Sequence, residues 1–233
     1  MLPSSIVIGL PRAGTTFLYD CIRAEGNAFV PVAKDVLFFD REFDRGLKWY
    51  SSFFEDAEPG QTAIDISHGY FFHPAAPHRV ERTMPEARLT LIIRDPADWV
   101  VSMVRRQLTF GQHGQKATVD SALSAAPQLL ASAHFSHLVQ NWMTAFGDRL
   151  QILLFDSLSE DPLSFYQTFA EHAGYEATIE ALPSNRKPVT ARAIFETEQG
   201  DPAHCSRTSC SRPRPVRRLG KGSRRHPAAS VPA

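Results

Sequence analysis

The fold is decided by the stretch Ile6-Val7-Ile8-Gly9-Leu10-Pro11-Arg12-Ala13-Gly14-Thr15-Thr16-Phe17-Leu18. Its apolar start predicts a short buried strand over residues 4–9, and the spacing after Gly14 predicts a helix over residues 14–25. Glycines allow the loop between them to curl, so that successive N–H groups and the helix N-terminus face an anion. The order of strand, loop and helix therefore predicts a phosphate-binding loop.

This loop differs from the nucleotide-triphosphate loop G-x4-G-K-[ST] at its cation. Gly9 and Gly14 have the required spacing, but Thr15 occupies the lysine position and the basic residue is Arg12. We therefore predict that the loop binds a phosphate-like group other than the β/γ end of a triphosphate. A P-loop nucleotide or small-molecule kinase is the alternative that the glycine spacing suggests, with Asp65 as a conceivable magnesium ligand.

Strand and helix patterns alternate along the body of the chain. They predict strands at residues 4–9, 62–67, 88–93 and 150–155, and helices at 14–25, 43–54, 74–84, 96–108, 119–131, 134–146 and 162–173. Strands separated by helices are typical of a parallel sheet with helices on both faces. We expect a P-loop-like, three-layer α/β fold with a mostly parallel central sheet flanked by helices, in one domain over residues 1–200.

The net charge of zero conceals an asymmetry between the body and the C-terminal tail. Residues 201–233 contain eight Lys or Arg and one acidic residue, which leaves 17 basic and 24 acidic residues in the first 200. The tail is rich in Pro, Ser and Arg and poor in large apolar residues, so we predict that it is disordered. It lacks the interleaved aromatic residues typical of nucleic-acid binding, so we expect no nucleic-acid partner.

Other protein classes are disfavoured by what the sequence lacks. It contains no apolar run of about 18 residues, so we expect no membrane span. The N-terminus enters a strand almost at once, and we expect no secretory signal. The three cysteines, Cys21, Cys205 and Cys210, form neither a disulfide framework nor a metal-ligand pattern. These features predict a cytoplasmic protein without a metal site.

A second strand–turn–helix segment also suggests phosphate binding. Arg94 lies at the end of the predicted strand 88–93, where open α/β sheets bind ligands, and Ser102 lies two turns into the next helix. A guanidinium and a hydroxyl together suit a phosphate monoester. On these residues alone, an ordinary turn in which Asp95 caps a helix with Pro96 at its first position is an equal alternative.

Together the two segments resemble the sulfotransferase family that uses 3′-phosphoadenosine 5′-phosphosulfate (PAPS). Pro11-Arg12-Ala13-Gly14-Thr15-Thr16 is similar to the P-R-[SA]-G-T-T loop that binds the 5′-phosphosulfate, and Phe17 follows it. Arg94-Asp95-Pro96, with Ser102, is similar to the R-[DN]-P-x5-S segment that binds the 3′-phosphate. The resemblance implies PAPS as the sulfuryl donor, without a metal.

Further segments resemble heparan-sulfate-type sulfotransferases. Lys34-Asp35-Val36-Leu37-Phe38-Phe39-Asp40 is similar to K-E-x-x-F-F-D, and Asp65-Ile66-Ser67-His68-Gly69-Tyr70-Phe71 to E-K-S-x-x-Y-F. The resemblance implies transfer to a hydroxyl or amine of a carbohydrate or other small-molecule acceptor. Residues 219–227 share composition, but not register, with the loop that closes over the nucleotide in the family.

Three departures from the family pattern keep another alternative open. Asp35 replaces a glutamate, Ile66 a lysine, and Trp99 a second arginine that often follows R-[DN]-P. A noncatalytic relative that binds the nucleotide without turnover would tolerate such changes.

The resemblance also implies a role for each candidate residue. Arg12 neutralises charge on the bridging oxygen, and Asp35 is the general base that takes the acceptor's proton. His68 is the second candidate for that base, and Lys34 contacts sulfate or substrate. Without the resemblance, Asp35 is better explained by pairing with Lys34 or capping a turn. The aromatic clusters of residues 38–39, 49–50 and 70–72 have the spacing of core residues, with an acceptor pocket as the alternative.

Overall fold

A computed structural model of the chain describes residues 1–110, 121, 123–124 and 127–179. Within this part, five parallel strands form one sheet in the order β2-β3-β1-β4-β5. The strands are β1 Ser5–Gly9, β2 Ala28–Phe29, β3 Thr62–Ile66, β4 Arg88–Ile93 and β5 Leu150–Leu154. The predicted α/β fold is confirmed, and β2 is an edge strand too short for its sequence pattern to reveal.

The helices of the described chain pack around this sheet. They are α1 Thr15–Ile22, α2 Gly46–Ser52, α3 Ala76–Thr83, α4 Pro96–Phe110, α5 Pro127–Ser132, α6 Ser136–Phe146, α7 Phe155–Glu160 and α8 Pro162–Ala173. Short 3₁₀ helices occupy Phe43–Arg45, Tyr70–Phe72 and Gly147–Arg149. None of the helices in the described ranges is long and apolar enough to cross a membrane.

Two predicted elements need correction. The predicted strand 150–155 ends at Leu154, and helix α7 begins at Phe155, because no turn residue separates the two elements. The predicted helix 43–54 is a 3₁₀ turn followed by α2, because Gly46 at φ 79° interrupts it. Of the predicted helix 119–131, five residues lie outside the described chain, and its C-terminal part forms helix α5. The whole predicted tail 201–233 lies outside the described residues.

Strand β1 is the central strand of the sheet and lies in the core. All five residues of β1 are buried, and the strand pairs with β3 on one side and β4 on the other. The aromatic clusters belong mainly to this core: the ring of Phe38 stacks on that of Tyr50 at 4.3 Å, and Phe71 is fully buried. The core interpretation of these clusters is thus the one that the structure supports.

The sheet order fixes where a ligand can bind. The chain passes from β3 on one side of β1 to β4 on the other, so the strand order reverses at β1. Open parallel sheets bind ligands at the carboxyl ends of the strands beside such a reversal. The loops that follow β1, β3 and β4 meet at this edge.

Candidate active site

A cavity of about 390 Å³ lies at this edge of the sheet. Ten of the twelve predicted site residues line it, and the two exceptions are Ala13 and Ser102. Its lining also includes four residues that the sequence did not single out for the site: Met103, Arg106, Phe155 and Leu158. The three segments predicted to contribute to one site are therefore adjacent in the fold.

The loop between β1 and α1 is held in an unusual backbone conformation by α4. Arg12 has φ 64°, a left-handed value that costs energy for a residue with a side chain. The indole N–H of Trp99 donates to the Pro11 carbonyl at 2.9 Å, and Arg94 Nη1 donates to the Arg12 carbonyl at 3.2 Å. The tryptophan that departs from the family pattern thus supports the loop directly.

The N-terminus of α1 faces the cavity through its first residues. Gly14 precedes the helix at φ 97° without a side-chain cap, and no acidic residue lies in the first turn. The first N–H groups of a helix have no partner inside it. Ala13 is fully buried and its N–H donates to the Leu10 carbonyl at 3.3 Å, so its amide is used within the loop and does not line the cavity.

Lys34 connects a second loop to this helix. Its ammonium donates to the hydroxyls of Thr15 at 3.2 Å and Thr16 at 3.0 Å. Both threonines and the lysine line the cavity. An ammonium beside a helix N-terminus concentrates positive potential there, which suits an anionic group of a ligand.

Arg94 and Ser102 adjoin the phosphate-binding loop. The Arg94 guanidinium is buried and lies 4.5 Å from the ring centre of Phe155, and its Nε has no hydrogen-bond partner among the described residues. Ser102 accepts a hydrogen bond from Arg12 Nε at 3.1 Å. Arg12 and Arg94 therefore line the cavity side by side, and Ser102 supports Arg12 from outside the lining.

Positive charge dominates this wall. Burial lowers the pKa of the Arg12 guanidinium, and the nearby Arg106 lowers it further. Burial also lowers the pKa of Arg94, and Arg12 adds to that effect, while neighbouring carboxylates oppose it. Neither Arg12 nor Arg94 forms an ion pair with a described carboxylate. Anion binding at such a site is favourable, because the anion replaces interactions that the buried cations lost with water.

Asp35 and His68 form a hydrogen-bonded pair that also lines the cavity. Asp35 Oδ1 lies 2.5 Å from His68 Nδ1 and accepts the His68 backbone N–H at 3.3 Å. Burial acts to raise the pKa of Asp35, but the hydrogen bonds and charge of His68 and the charge of Lys34 outweigh it and lower that pKa. Asp35 is therefore a carboxylate at neutral pH.

The backbone at Asp35 is fixed by the neighbouring strand. Asp35 adopts φ 64°, and its N–H donates at 3.0 Å to the carbonyl of Ile66, the last residue of β3 that pairs with β1. The Ile66 side chain is buried, so the position where relatives carry lysine supplies no charge here. Lys34 is a cation that does reach the cavity.

The four additional lining residues come from two helices. Met103 and Arg106 follow Ser102 on α4. Arg106 lies one helical turn after Ser102, a spacing that puts Ser102 and Arg106 on the same side of the helix. That spacing is a signal that the sequence contained, although Arg106 alone resembles an exposed surface residue. Phe155 and Leu158 belong to α7, a helix that the sequence pattern did not predict. In the described ranges, no cluster of His, Cys, Asp or Glu could hold a metal ion.

The fold and the cavity define the class of protein. A parallel sheet, a glycine-bounded loop opening a helix, and a cationic cavity at the carboxyl edge together describe a P-loop-like α/β protein that binds a phosphorylated ligand. Within that class, the chain belongs to the sulfotransferase domain family, which matches residues 2–222.

The chain is similar in sequence to curated heparan sulfate glucosamine 3-O-sulfotransferases. Heparan sulfate glucosamine 3-O-sulfotransferase 3B1 from Homo sapiens is 26% identical over 174 residues, which are 69% of this chain and 43% of that protein. Heparan sulfate glucosamine 3-O-sulfotransferase 6 from Homo sapiens is 27% identical over 239 residues, which are 97% of this chain and 64% of that protein. The chain thus spans less than two thirds of the length of these relatives.

Solved structures agree on the fold. A sulfotransferase from Alicyclobacillus acidocaldarius has a TM-score of 0.68 at 15% identity, covering 84% of this chain and 90% of its own. The sulfotransferase domain of the Synechococcus PCC 7002 olefin synthase has a TM-score of 0.60 at 18% identity, covering 86% and 81%. Mouse sulfotransferase SULT7A1, solved as a complex with PAP, has a TM-score of 0.53 at 17% identity, covering 76% and 60%.

Proposed function

We propose that this protein transfers a sulfuryl group from PAPS to a hydroxyl or amine of an acceptor molecule. One observation carries the proposal: the guanidinium groups of Arg12 and Arg94 line the same cavity as the ionised Asp35 and its partner His68. Membership of the sulfotransferase family supports it, as does the fold shared with a mouse sulfotransferase solved with PAP.

The residues present fit the donor. Arg94 Nε is buried without a partner among the described residues, as expected of a group whose partner is a ligand phosphate. We assign the 3′-phosphate to Arg94 and Ser102. The 5′-phosphosulfate is assigned to the N-terminus of α1, the hydroxyls of Thr15 and Thr16, and Lys34. When bound, PAPS supplies an activated sulfuryl group on a leaving phosphate.

Arg12 stabilises charge during transfer. Its guanidinium lines the cavity and is steered by Ser102, and it remains protonated at all working pH values. It can therefore neutralise negative charge that develops on the leaving oxygen, but it cannot donate a proton. Preorganised charge of this kind acts mainly on the transition state.

The Asp35–His68 pair receives the acceptor's proton. Asp35 is ionised, half-buried and in direct contact with the ring of His68. Asp35 is our assigned base, and His68 is the second candidate, since a ring held at Nδ1 by a carboxylate keeps Nε2 as its other proton site. In either arrangement, a carboxylate and an imidazole in contact stabilise the transferred proton better than either group alone.

A carbohydrate hydroxyl is the acceptor that we propose first. The relatives named above are heparan sulfate glucosamine 3-O-sulfotransferases, and the segment that begins with Lys34 and Asp35 resembles the K-E-x-x-F-F-D pattern of heparan-sulfate-type sulfotransferases. Because the chain covers less than two thirds of their length, small-molecule alcohols and amines belong in the same test.

The deciding experiment measures sulfuryl transfer. The protein is incubated with PAPS and separate heparan-type oligosaccharide, alcohol and amine acceptors, and sulfated products are identified by mass spectrometry. We expect a sulfated carbohydrate and release of adenosine 3′,5′-bisphosphate. Nucleotide binding without any transfer would contradict the proposal and favour a noncatalytic relative. Phosphate transfer from magnesium-ATP would instead favour a kinase.

A further inference from the structure

A fully buried carboxylate lies close enough to Asp35 to feel its charge. It is not one of the residues that line the cavity. Asp65, on β3, is fully buried and accepts hydrogen bonds from three hydroxyls. Tyr50 and Tyr70 each donate to Oδ2 at 2.8 Å, and Ser67 donates to Oδ1 at 2.8 Å. A charge this deep in a core persists only when it is this well hydrogen-bonded.

Two of those hydroxyls also hold the loop that carries Asp35. The Leu37 N–H donates to Ser67 Oγ at 3.3 Å, and the Phe38 N–H donates to the Tyr70 hydroxyl at 2.9 Å. Leu37 adopts φ 57° and Asp35 φ 64°, values that side chains make unfavourable. These hydrogen bonds are among the contacts that keep the loop in its strained conformation.

The direction of each hydrogen bond depends on the charge of Asp65. An ionised carboxylate only accepts, so the hydroxyls of Ser67 and Tyr70 point their hydrogens at it and leave their lone pairs for the loop. Burial, with the charge of Asp65, raises the pKa of Tyr50 and of Tyr70, and both phenols stay protonated as donors. A carboxamide or a protonated carboxyl would itself donate, so the hydroxyls could no longer all direct their hydrogens at a charged acceptor, and the hydrogen bonds that orient them would weaken.

We infer that Asp65 is a positioning residue for the Asp35–His68 pair. It acts through Ser67 and Tyr70, which hold the backbone two and three residues beyond Asp35, and Ser67 directly precedes His68 in the chain. The catalytic consequence rests on the proposed function, whereas the geometry of the pair can be tested without it.

The effect of Asp65 on the loop should depend on pH. Burial raises the pKa of Asp65 to about 6, against the hydrogen bonds from Tyr50, Tyr70 and Ser67, and the charge of Asp35 raises it further. These are the polar and charged groups that act on the carboxyl. Below about pH 6 the carboxyl gains a proton, and the hydroxyls of Ser67 and Tyr70 lose the charged acceptor that orients them. We expect kcat to fall on that acidic side.

Two tyrosines provide a matched pair of variants. Tyr50→Phe and Tyr70→Phe each remove one hydroxyl that donates to the same oxygen of Asp65, and both side chains are fully buried. Tyr70 additionally accepts from the loop. We expect Tyr70→Phe to lower kcat roughly tenfold, the effect of one lost hydrogen bond, and Tyr50→Phe to lower it much less. Tyr70→Phe should also be the less stable variant in thermal melts, because it loses two hydrogen bonds and Tyr50→Phe loses one, so kcat is compared well below both melting temperatures.

A readout independent of turnover separates this inference from the proposed function. The carboxyl of Asp35 is titrated by carbon NMR in wild type and both variants. We expect the pKa of Asp35 to rise in Tyr70→Phe, because its contact with His68 loosens, and to stay in place in Tyr50→Phe. Equal effects of the two variants on this titration would overturn the positioning role. Failure of the wild type to transfer sulfuryl groups would overturn the proposed function instead, and the titration would still decide the role of Asp65.

Discussion

Replacing Gly14 by alanine tests how closely α7 packs on the phosphate-binding loop. Gly14 has φ 97°, and a Cβ added there would lie closer to Leu158 Cδ2 than van der Waals contact allows. Leu158 is 1% exposed, so its side chain has little room to move away. The substitution therefore combines a backbone cost with an overpacking cost at the wall of the cavity.

The two costs can be estimated and separated. A left-handed backbone costs a residue with a Cβ about 1–2 kcal/mol, and overpacking a core adds about 1–3 kcal/mol, so Gly14→Ala should lower the free energy of unfolding by about 2–5 kcal/mol. Gly60 is the matched control, because it has φ 92° and a Cβ there meets nothing within 4 Å. Gly60→Ala should show the backbone cost alone.

The assay is urea denaturation. It compares four variants: Gly14→Ala, Gly60→Ala, Leu158→Val and the double variant Gly14→Ala/Leu158→Val. Leu158→Val shortens the side chain that the new Cβ meets, so the double variant should be more stable than the sum of the single effects predicts, by about 1 kcal/mol or more. If Gly14→Ala costs no more than Gly60→Ala, or if the two changes at Gly14 and Leu158 are additive, the packing argument is refuted.

Three further predictions concern binding, chemistry and pH. Arg94→Ala should mainly raise the KM for PAPS, whereas Arg12→Ala should mainly lower kcat; a raised KM alone in both variants would remove the catalytic role of Arg12. Asp35→Asn should lower turnover by roughly 10²–10⁴ with nearly unchanged affinity for adenosine 3′,5′-bisphosphate, and His68→Ala should lower it much less; the reverse result would exchange the two roles. Because the pKa of Asp65 is raised to about 6, the unfolded chain loses that proton first, near pH 4. The contribution of Asp65 to the free energy of unfolding should therefore fall as pH rises from about 4 to about 6, and the difference between wild type and Asp65→Asn in denaturation at several pH values measures it.

Sequence alone predicted the parts of the site that are encoded locally. Gly9 and Gly14 bound a loop between a buried strand and a helix, and Arg94 ends the next strand of the sheet beside β1. Parallel strands bring such loop ends to one edge, so placing them together needed no tertiary information. Lys34, Asp35 and His68 were indicated by the resemblance to the sulfotransferase family, since nothing else in the local sequence marks them as site residues.

The remaining features depend on contacts between distant segments. Helix α7 follows β5 without a break, and its residues Phe155 and Leu158 reach the cavity only because β5 pairs with β4. The contact between Asp35 and His68 joins residues 33 positions apart. It depends on a positive φ at Asp35 that the sequence does not signal, since the residue there is not glycine.

Departures from the family pattern also became interpretable only in three dimensions. From the sequence, Trp99 looked like a lost arginine, but its indole N–H supports the Pro11 carbonyl. Ile66 is a buried core residue, and Lys34 brings an ammonium to the cavity from the neighbouring loop. Trp99 thus has a structural role of its own, and the cavity keeps the cations of Arg12, Lys34 and Arg94 without a lysine at position 66.

The central claim is that the cavity binds a nucleotide phosphorylated at both the 3′ and 5′ positions. Isothermal titration calorimetry with adenosine 3′,5′-bisphosphate and with AMP, on wild type and Arg94→Ala, tests it most directly. A charge-assisted contact with a phosphate contributes about 1.5–3 kcal/mol, so wild type should bind the bisphosphate at least about tenfold more tightly than AMP, and Arg94→Ala should lose most of that difference. Equal affinity of the wild type for the two nucleotides would contradict the assignment of Arg94 and Ser102 and, with it, the proposed donor.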